Sequence, residues 1–218
     1  AVNDGGPIAK TVFVLATNLA AGAQLPATGT GVVINGHNLT LRGGMDANFT
    51  AVIGTTILEG SNNLFHGIMA TDATNVRIEN FTVTGMLANG GASDGNGAGL
   101  LLRNLRDSTC SNVVLSNNRA RMDGGGVQVA FCTNLTLTSL LLAQNVASNS
   151  GGGLNATGSS NLNLDVNSVG NWIGFADRGA GVALHTSAGC TLSGHVGSNT
   201  SMWSGGGVLL DQTAGTTI

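Results

Sequence analysis

Five glycine-rich triplets recur along this chain at nearly constant spacing, and nothing else in the sequence restricts its fold as much. Gly97-Ala98-Gly99, Gly124-Gly125-Gly126, Gly151-Gly152-Gly153, Gly179-Ala180-Gly181 and Gly205-Gly206-Gly207 begin 27, 27, 28 and 26 residues apart. Each is followed by an apolar residue: Leu100, Val127, Leu154, Val182 and Val208. A fixed period of about 20–50 residues marks a stack of similar units, none able to bury its apolar face alone.

The units are strands, not helices. Apolar residues alternate with period two in Val76-Arg77-Ile78-Glu79, Leu135-Thr136-Leu137-Thr138 and Leu162-Asn163-Leu164-Asp165-Val166, as in strands with one buried face. Gly, Asn, Asp and Ser fill the gaps, as turns require. Each unit reads as a glycine-led strand, a turn, a second strand opening on Asn, and another turn. Aligning Asn75, Asn112, Asn134 and Asn161 stacks Val76/Val113/Leu135/Leu162 and Ile78/Leu115/Leu137/Leu164 inward. This alignment puts Ala73, Cys110, Cys132 and Ser159 in a further shared slot, with Cys190 as its next member. At about 27 residues per coil, the expected fold is an all-β, single-stranded right-handed parallel β-helix of about eight coils. Residues 1–30 are expected to form a lead-in and capping segment, and 31–218 the solenoid, continuing beyond this chain. The last rung, Val208/Leu210, is expected to be covered by further coils or by another copy stacked end to end.

Composition excludes several classes. The 218 residues include 35 glycines; 42% are hydrophobic and 9% charged. Disordered chains combine low hydrophobicity with high charge, so a packed interior is expected. The net charge is −3 and the eight basic residues are scattered. A nucleic-acid binder shows a basic face with interleaved aromatics, so nucleic acid is not an expected partner. No apolar run reaches the ~18 residues of a membrane helix. A phosphate-cradling loop needs glycines between a strand and a helix; no helical pattern follows any triplet, and no cofactor is expected.

Three coils carry a longer pattern: Ser116-Asn117-Asn118-Arg119-Ala120 before Gly124, Ala143-Gln144-Asn145-Val146-Ala147 before Gly151, and Gly197-Ser198-Asn199-Thr200-Ser201 before Gly205. Over roughly residues 60–218 it resembles the repeat of chlamydial polymorphic outer-membrane proteins, an F-x-x-N element preceding G-G-A and an aliphatic residue. It is also similar to pectin-lyase-like β-helix proteins of bacteria and algae. Val114, Leu142 and Val196 stand where the repeat has Phe, and the second motif reads G-G-G or G-A-G. The resemblance implies a secreted or cell-surface, often adhesive protein, with glycans or proteins of a cell surface or matrix as partners.

The wider pectin-lyase-like class includes polysaccharide lyases and hydrolases, so an enzyme acting on acidic glycans is the alternative. Inverting glycoside hydrolysis needs two carboxylates ~6.5–9.5 Å apart; pectate cleavage needs clustered acids for Ca²⁺ and a basic proton abstractor. The candidates are the acids ahead of the triplets, Asp94, Asp123 and Asp177, with Arg121 and Arg178 beside them. Asp before Gly is also ordinary turn chemistry, and the favoured expectation is a non-enzymatic structural or adhesive module. His37, His66, His185 and His195 lack metal-ligand spacing and are expected at turns or on the surface; no metal site is expected. Thr136 and Thr138, aligned with Val114 and Ser116, give no persistent threonine row of the kind an ice-binding face needs. Cys110 and Cys132, on adjacent coils, are expected to stack as small inward residues rather than form a disulfide. Asn38, Asn48, Asn80, Asn155 and Asn199 open N-x-S/T triplets and are glycosylation candidates; Asn134 opens another but belongs to the stacked strand-opening slot.

Overall fold

The computed structural model describes residues 10–20, 29–62, 64–174, 179–202 and 205–218. They form a right-handed parallel β-solenoid of about seven turns. Three parallel sheets build it, the third only from Leu87 onward. The glycine-led sheet stacks Gly29–Ile34, Leu64–Thr71, Leu100–Arg103, Val127–Ala130, Leu154–Thr157, Val182–His185 and Val208–Asp211. The long sheet stacks Lys10–Leu15, Leu39–Met45, Val76–Thr84, Arg106–Ser116, Thr133–Ala143, Asn163–Val169 and Thr191–Gly197. The short sheet stacks Leu87–Ala88, Arg119–Ala120, Val146–Ala147, Trp172–Ile173 and Thr200–Ser201.

The turn count falls below the expected eight because the N-terminal coils are longer. Thr40 pairs with Arg77, 37 residues on, and Arg77 with Thr109, 32 residues on. The extra length includes an excursion after Met45 and a separate strand, Thr56–Glu59, which pairs with Asn18–Ala20 and Val76–Thr84. Lys10–Leu15, within the expected lead-in segment, is already a strand of the long sheet, paired with Leu39–Met45.

One coil is misaligned in the reading of the second strands. Thr109 lies between Arg77 and Thr136, so Asn75 and Asn134 align with Asp107, not Asn112. The stacked columns are therefore Val76/Ser108/Leu135 and Ile78/Cys110/Leu137, the latter continuing to Leu164 and Leu192. Leu137 is fully buried as expected, but between Cys110 and Leu164. Cys110 and Cys132 do not share a slot: the hydrogen bonds of the second column place Cys132 beside Leu105 and Ser159, and Ser187 follows Ser159. All three cysteines are buried free thiols. On the outer face, Thr136 and Thr138 have Thr109 and Ser111 as neighbours, not Val114 and Ser116, with Asn163 following Thr136.

The cause is that Asn serves several corners of each coil. Asn75, Asp107, Asn134 and Asn161 have φ of 51–55°, while Asn80, Asn112 and Ser139 form a second left-handed column inside the long strand, with φ of 52–64°. Asn and Asp tolerate this region better than other non-glycine residues. Their side chains then bond along the column: Asn75 Nδ2 donates to Asn38 Oδ1 at 3.0 Å, Asn134 Nδ2 to Asp107 Oδ1 at 2.8 Å, and Asn112 Nδ2 to Asn80 Oδ1 at 2.8 Å. The triplets meet a stricter demand. A Cβ on Gly126 would lie 2.5 Å from the Gly153 carbonyl oxygen, and Gly124 has φ of 65°, so only glycine fits both the corner and the coil-to-coil approach.

A third asparagine column runs inside. Asn118, Asn145 and Asn171 have no exposed surface, and Asn199 ends their row. Asn145 Oδ1 accepts from the Asn118 backbone N–H and Nδ2, each at 3.1 Å; Asn171 Oδ1 accepts from Asn145 N–H at 2.8 Å and Nδ2 at 3.0 Å; Asn199 Oδ1 accepts from Asn171 N–H and Nδ2, both at 2.9 Å. Each Nδ2 also donates back to a carbonyl of the long sheet: Val83, Leu115, Leu142 and Ser168 in turn. A buried amide network costs little only when every member is partnered, and this one ties successive coils at the corner before the short sheet. It also corrects the motif alignment: the ladder residue of its coil is Asn118 rather than Asn117, with Leu115 rather than Val114 three positions before it.

Candidate functional site

A concavity lies on the outer face of the glycine-led sheet. It encloses about 370 Å³ and is lined by Asn96, Leu101, Arg103, Asp123, Gln128, Ala130, Phe131 and Thr157. Sheet register builds it. Leu101, Gln128 and Asn155 form one outward row and Arg103, Ala130 and Thr157 the next. Asn96 and Asp123 stand at the corner before the triplets, and Phe131 at the corner after the strand.

Two features of this groove bear on what it can hold. Phe131 has φ of 56° and is 58% exposed. Its place in the left-handed column is held by Asn104 on one neighbouring coil and Gly158 on the other. A bulky residue there costs about 1–2 kcal/mol. Its ring lies over Gly158, where a Cβ would approach ring carbons to 2.8 Å. The second feature is a buried polar pair. Asn155 Nδ2 donates to Gln128 Oε1 at 2.9 Å and to Thr157 Oγ1 at 3.2 Å, while Asn155 Oδ1 is buried with no hydrogen-bond partner. Unsatisfied buried acceptors cost about 1–3 kcal/mol and are few in folded proteins.

Of the acidic candidates, Asp123 lines this groove and Asp94 does not. Asp123 is a corner cap: its Oδ1 accepts from the Ser150 N–H at 3.1 Å, and its own N–H donates to Asn96 Oδ1 at 3.0 Å. Asn96, not Asp94, therefore shares its column. Asp94 lies in a short 3₁₀ turn, Ala92–Gly95, whose Gly95 carbonyl accepts from the Met122 N–H. Asp177 and Arg178 lie outside the described residues.

No protein-family model, curated protein or solved structure matches this chain.

His66 departs from the expectation of a turn or surface residue. It is 2% exposed, with Nδ1 3.0 Å from the Gly97 carbonyl, and burial lowers its pKa despite that hydrogen bond and the nearby Asp94 charge. It occupies the slot held by Ala98 on the next coil. His37 does sit at a turn, its Nδ1 accepting from the Thr74 N–H at 3.1 Å. His185 contacts Asp211 at 3.3 Å. No three His, Cys, Asp or Glu side chains converge among the described residues, and among them no helix is long and apolar enough to cross a membrane.

The glycosylation candidates separate by access. Asn48 is exposed; Asn38 and Asn80 are half-buried corner residues. Asn155 is buried, and Asn199 Nδ2 donates to the Ser168 carbonyl at 2.8 Å. The internal ladder and Phe131 escaped sequence reasoning. The ladder had a signal: Asn118, Asn145, Asn171 and Asn199 recur at 27, 26 and 28 residues.

Proposed function

We propose that this chain is a non-enzymatic, secreted or cell-surface module whose solenoid presents a glycan-binding groove at Phe131. One observation carries the reading: a strained, exposed aromatic ring beside a groove whose polar groups are Arg103, Gln128, Asn96, Asp123 and Thr157. Aromatic faces take the apolar face of a sugar ring, while guanidinium and amide groups bond its hydroxyls. Binding sites of this size combine an apolar surface with a few placed polar groups. The resemblance to chlamydial polymorphic outer-membrane proteins supports an adhesive role on the same grounds as before, and partners would be cell-surface or matrix glycans.

The test uses Phe131→Gly. Glycine relieves the left-handed strain, so stability should hold or rise, while binding on an oligosaccharide array should fall. Binding that survives this substitution, or a wild-type protein that retains no oligosaccharide, refutes the reading. The enzyme alternative has Asp123 on the groove wall in its favour. Release of reducing ends or unsaturated products from polygalacturonate, lost in Asp123→Asn, would install it.

A further inference from the structure

A second groove lies on a different side of the solenoid, on the outer face of the short sheet. It encloses about 170 Å³ and is lined by Leu87, Ala88, Asn89, Arg119, Arg121 and Ser148. Arg119 and Arg121 are two positions apart on one strand edge, with buried Ala120 between them, so both side chains point outward. Arg119 is flanked by Leu87 on one coil and Val146 on the other, and the outward row continues to Trp172, 39% exposed.

Neither guanidinium has a side-chain hydrogen bond or ion pair among the described residues. Among the described arginines only Arg42 has a carboxylate partner, Glu79 at 2.7 Å; what distinguishes Arg119 and Arg121 is that they stand side by side in one groove. No carboxylate lines this groove. Two like charges side by side disfavour the fold unless an anion bridges them, and guanidinium forks match oxyanions with paired hydrogen bonds. Asn89 and Ser148 add neutral donors at the rim, and Leu87 supplies an apolar wall.

We infer that Arg119 and Arg121 form an oxyanion site for an acidic glycan, bearing either sulfate esters or carboxylates. The site shares no lining residue with the Phe131 groove and does not depend on it.

The experiment titrates the full chain with three probes: a heparin-derived sulfated oligosaccharide, an oligogalacturonate and a neutral cello-oligosaccharide. Binding of one or both acidic probes, weakening with salt and absent for the neutral probe, is expected. Preference between the two acidic probes identifies the oxyanion. Arg119→Gln with Arg121→Gln should weaken binding about tenfold or more, the worth of one to two charged hydrogen bonds. Arg77→Gln with Arg106→Gln, the same charge change on the long sheet, should leave it unchanged. Phe131→Gly should also leave it unchanged, which separates failure of this site from failure of the groove on the glycine-led sheet. The inference is overturned if neither acidic probe binds, if the Arg119/Arg121 variant binds like wild type, or if the Arg77/Arg106 variant loses as much.

Discussion

Replacing Asn145 by Ala cuts the internal ladder at its middle. Asn145 Oδ1 is the acceptor for the Asn118 N–H and Nδ2, and its Nδ2 donates to the Leu115 carbonyl and to Asn171 Oδ1. Asn118 Nδ2 retains the Val83 carbonyl, and Asn171 Oδ1 retains the Asn145 N–H. The Asn118 N–H loses its partner in a fully buried position. The orphaned donor costs about 1–3 kcal/mol and each of the three other lost bonds about 0.5–1.5, giving roughly 2.5–7.5 kcal/mol in all. The control is Asn134→Gly. It removes bonds to Asp107 and Asn161, both exposed, while glycine keeps the left-handed corner, so it should cost about 1 kcal/mol or less. Urea unfolding followed by circular dichroism reads both, as midpoint shifts at unchanged slope. If Asn145→Ala shifts the midpoint no further than Asn134→Gly, the ladder does not hold the coils together.

Other outcomes follow from burial and charge. Leu137→Asp places a carboxylate between Cys110 and Leu164 and should cost several kcal/mol, read as loss of the folded circular-dichroism signal; a parent-like melt would contradict the register. Burial pushes the Cys110 thiol up to about 12 and the Cys132 thiol up to about 11, and raises Cys190, so a maleimide at pH 8 should label none of them until the chain unfolds. Burial lowers the His66 pKa below its ordinary 6.5; the unfolded chain then binds more protons, and stability present above about pH 6.5 should decline as pH falls below it. His66→Asn should flatten that decline in melts run across the range. Expressed through a eukaryotic secretory route, the chain should carry glycan at exposed Asn48 and none at buried Asn155, checked by peptide mass mapping.

The period and strand character were legible because glycine at a crowded corner has no substitute: the triplets keep their spacing wherever a Cβ would strike a carbonyl on the next coil. The third side was not, because its strands are only two residues long. Asparagine was less informative because it solves more than one problem per coil. Asn112 looks like Asn75 in sequence, yet it occupies the mid-strand column of Asn80, and a five-residue misalignment displaced Cys110 and Thr109 with it. The ladder shows the same degeneracy. Asn118 follows Asn117, and only stacking shows which one turns inward. Asp123 read as an acid with catalytic potential, while its hydrogen bonds make it the cap of the Gly124 corner. The groove depends on Phe131 adopting a conformation that its residue type disfavours, which no pattern of residue types announces.

The repetition of every column has a consequence for how such a chain can vary. Removing residues 124–150 would join Asp123 to Gly151 and set Leu154 on Leu100, Leu164 on Cys110 and Asn171 against Asn118, each of a kind with the pairing it replaces. The excised storey is 27 residues and ~4.8 Å tall. Duplication of the same segment would lengthen the rod by as much. Reach is thus adjustable in whole steps by a single in-frame event, while the cross-section that carries the remaining surface chemistry stays the same. A point substitution in a column, by contrast, is felt by the coils above and below it.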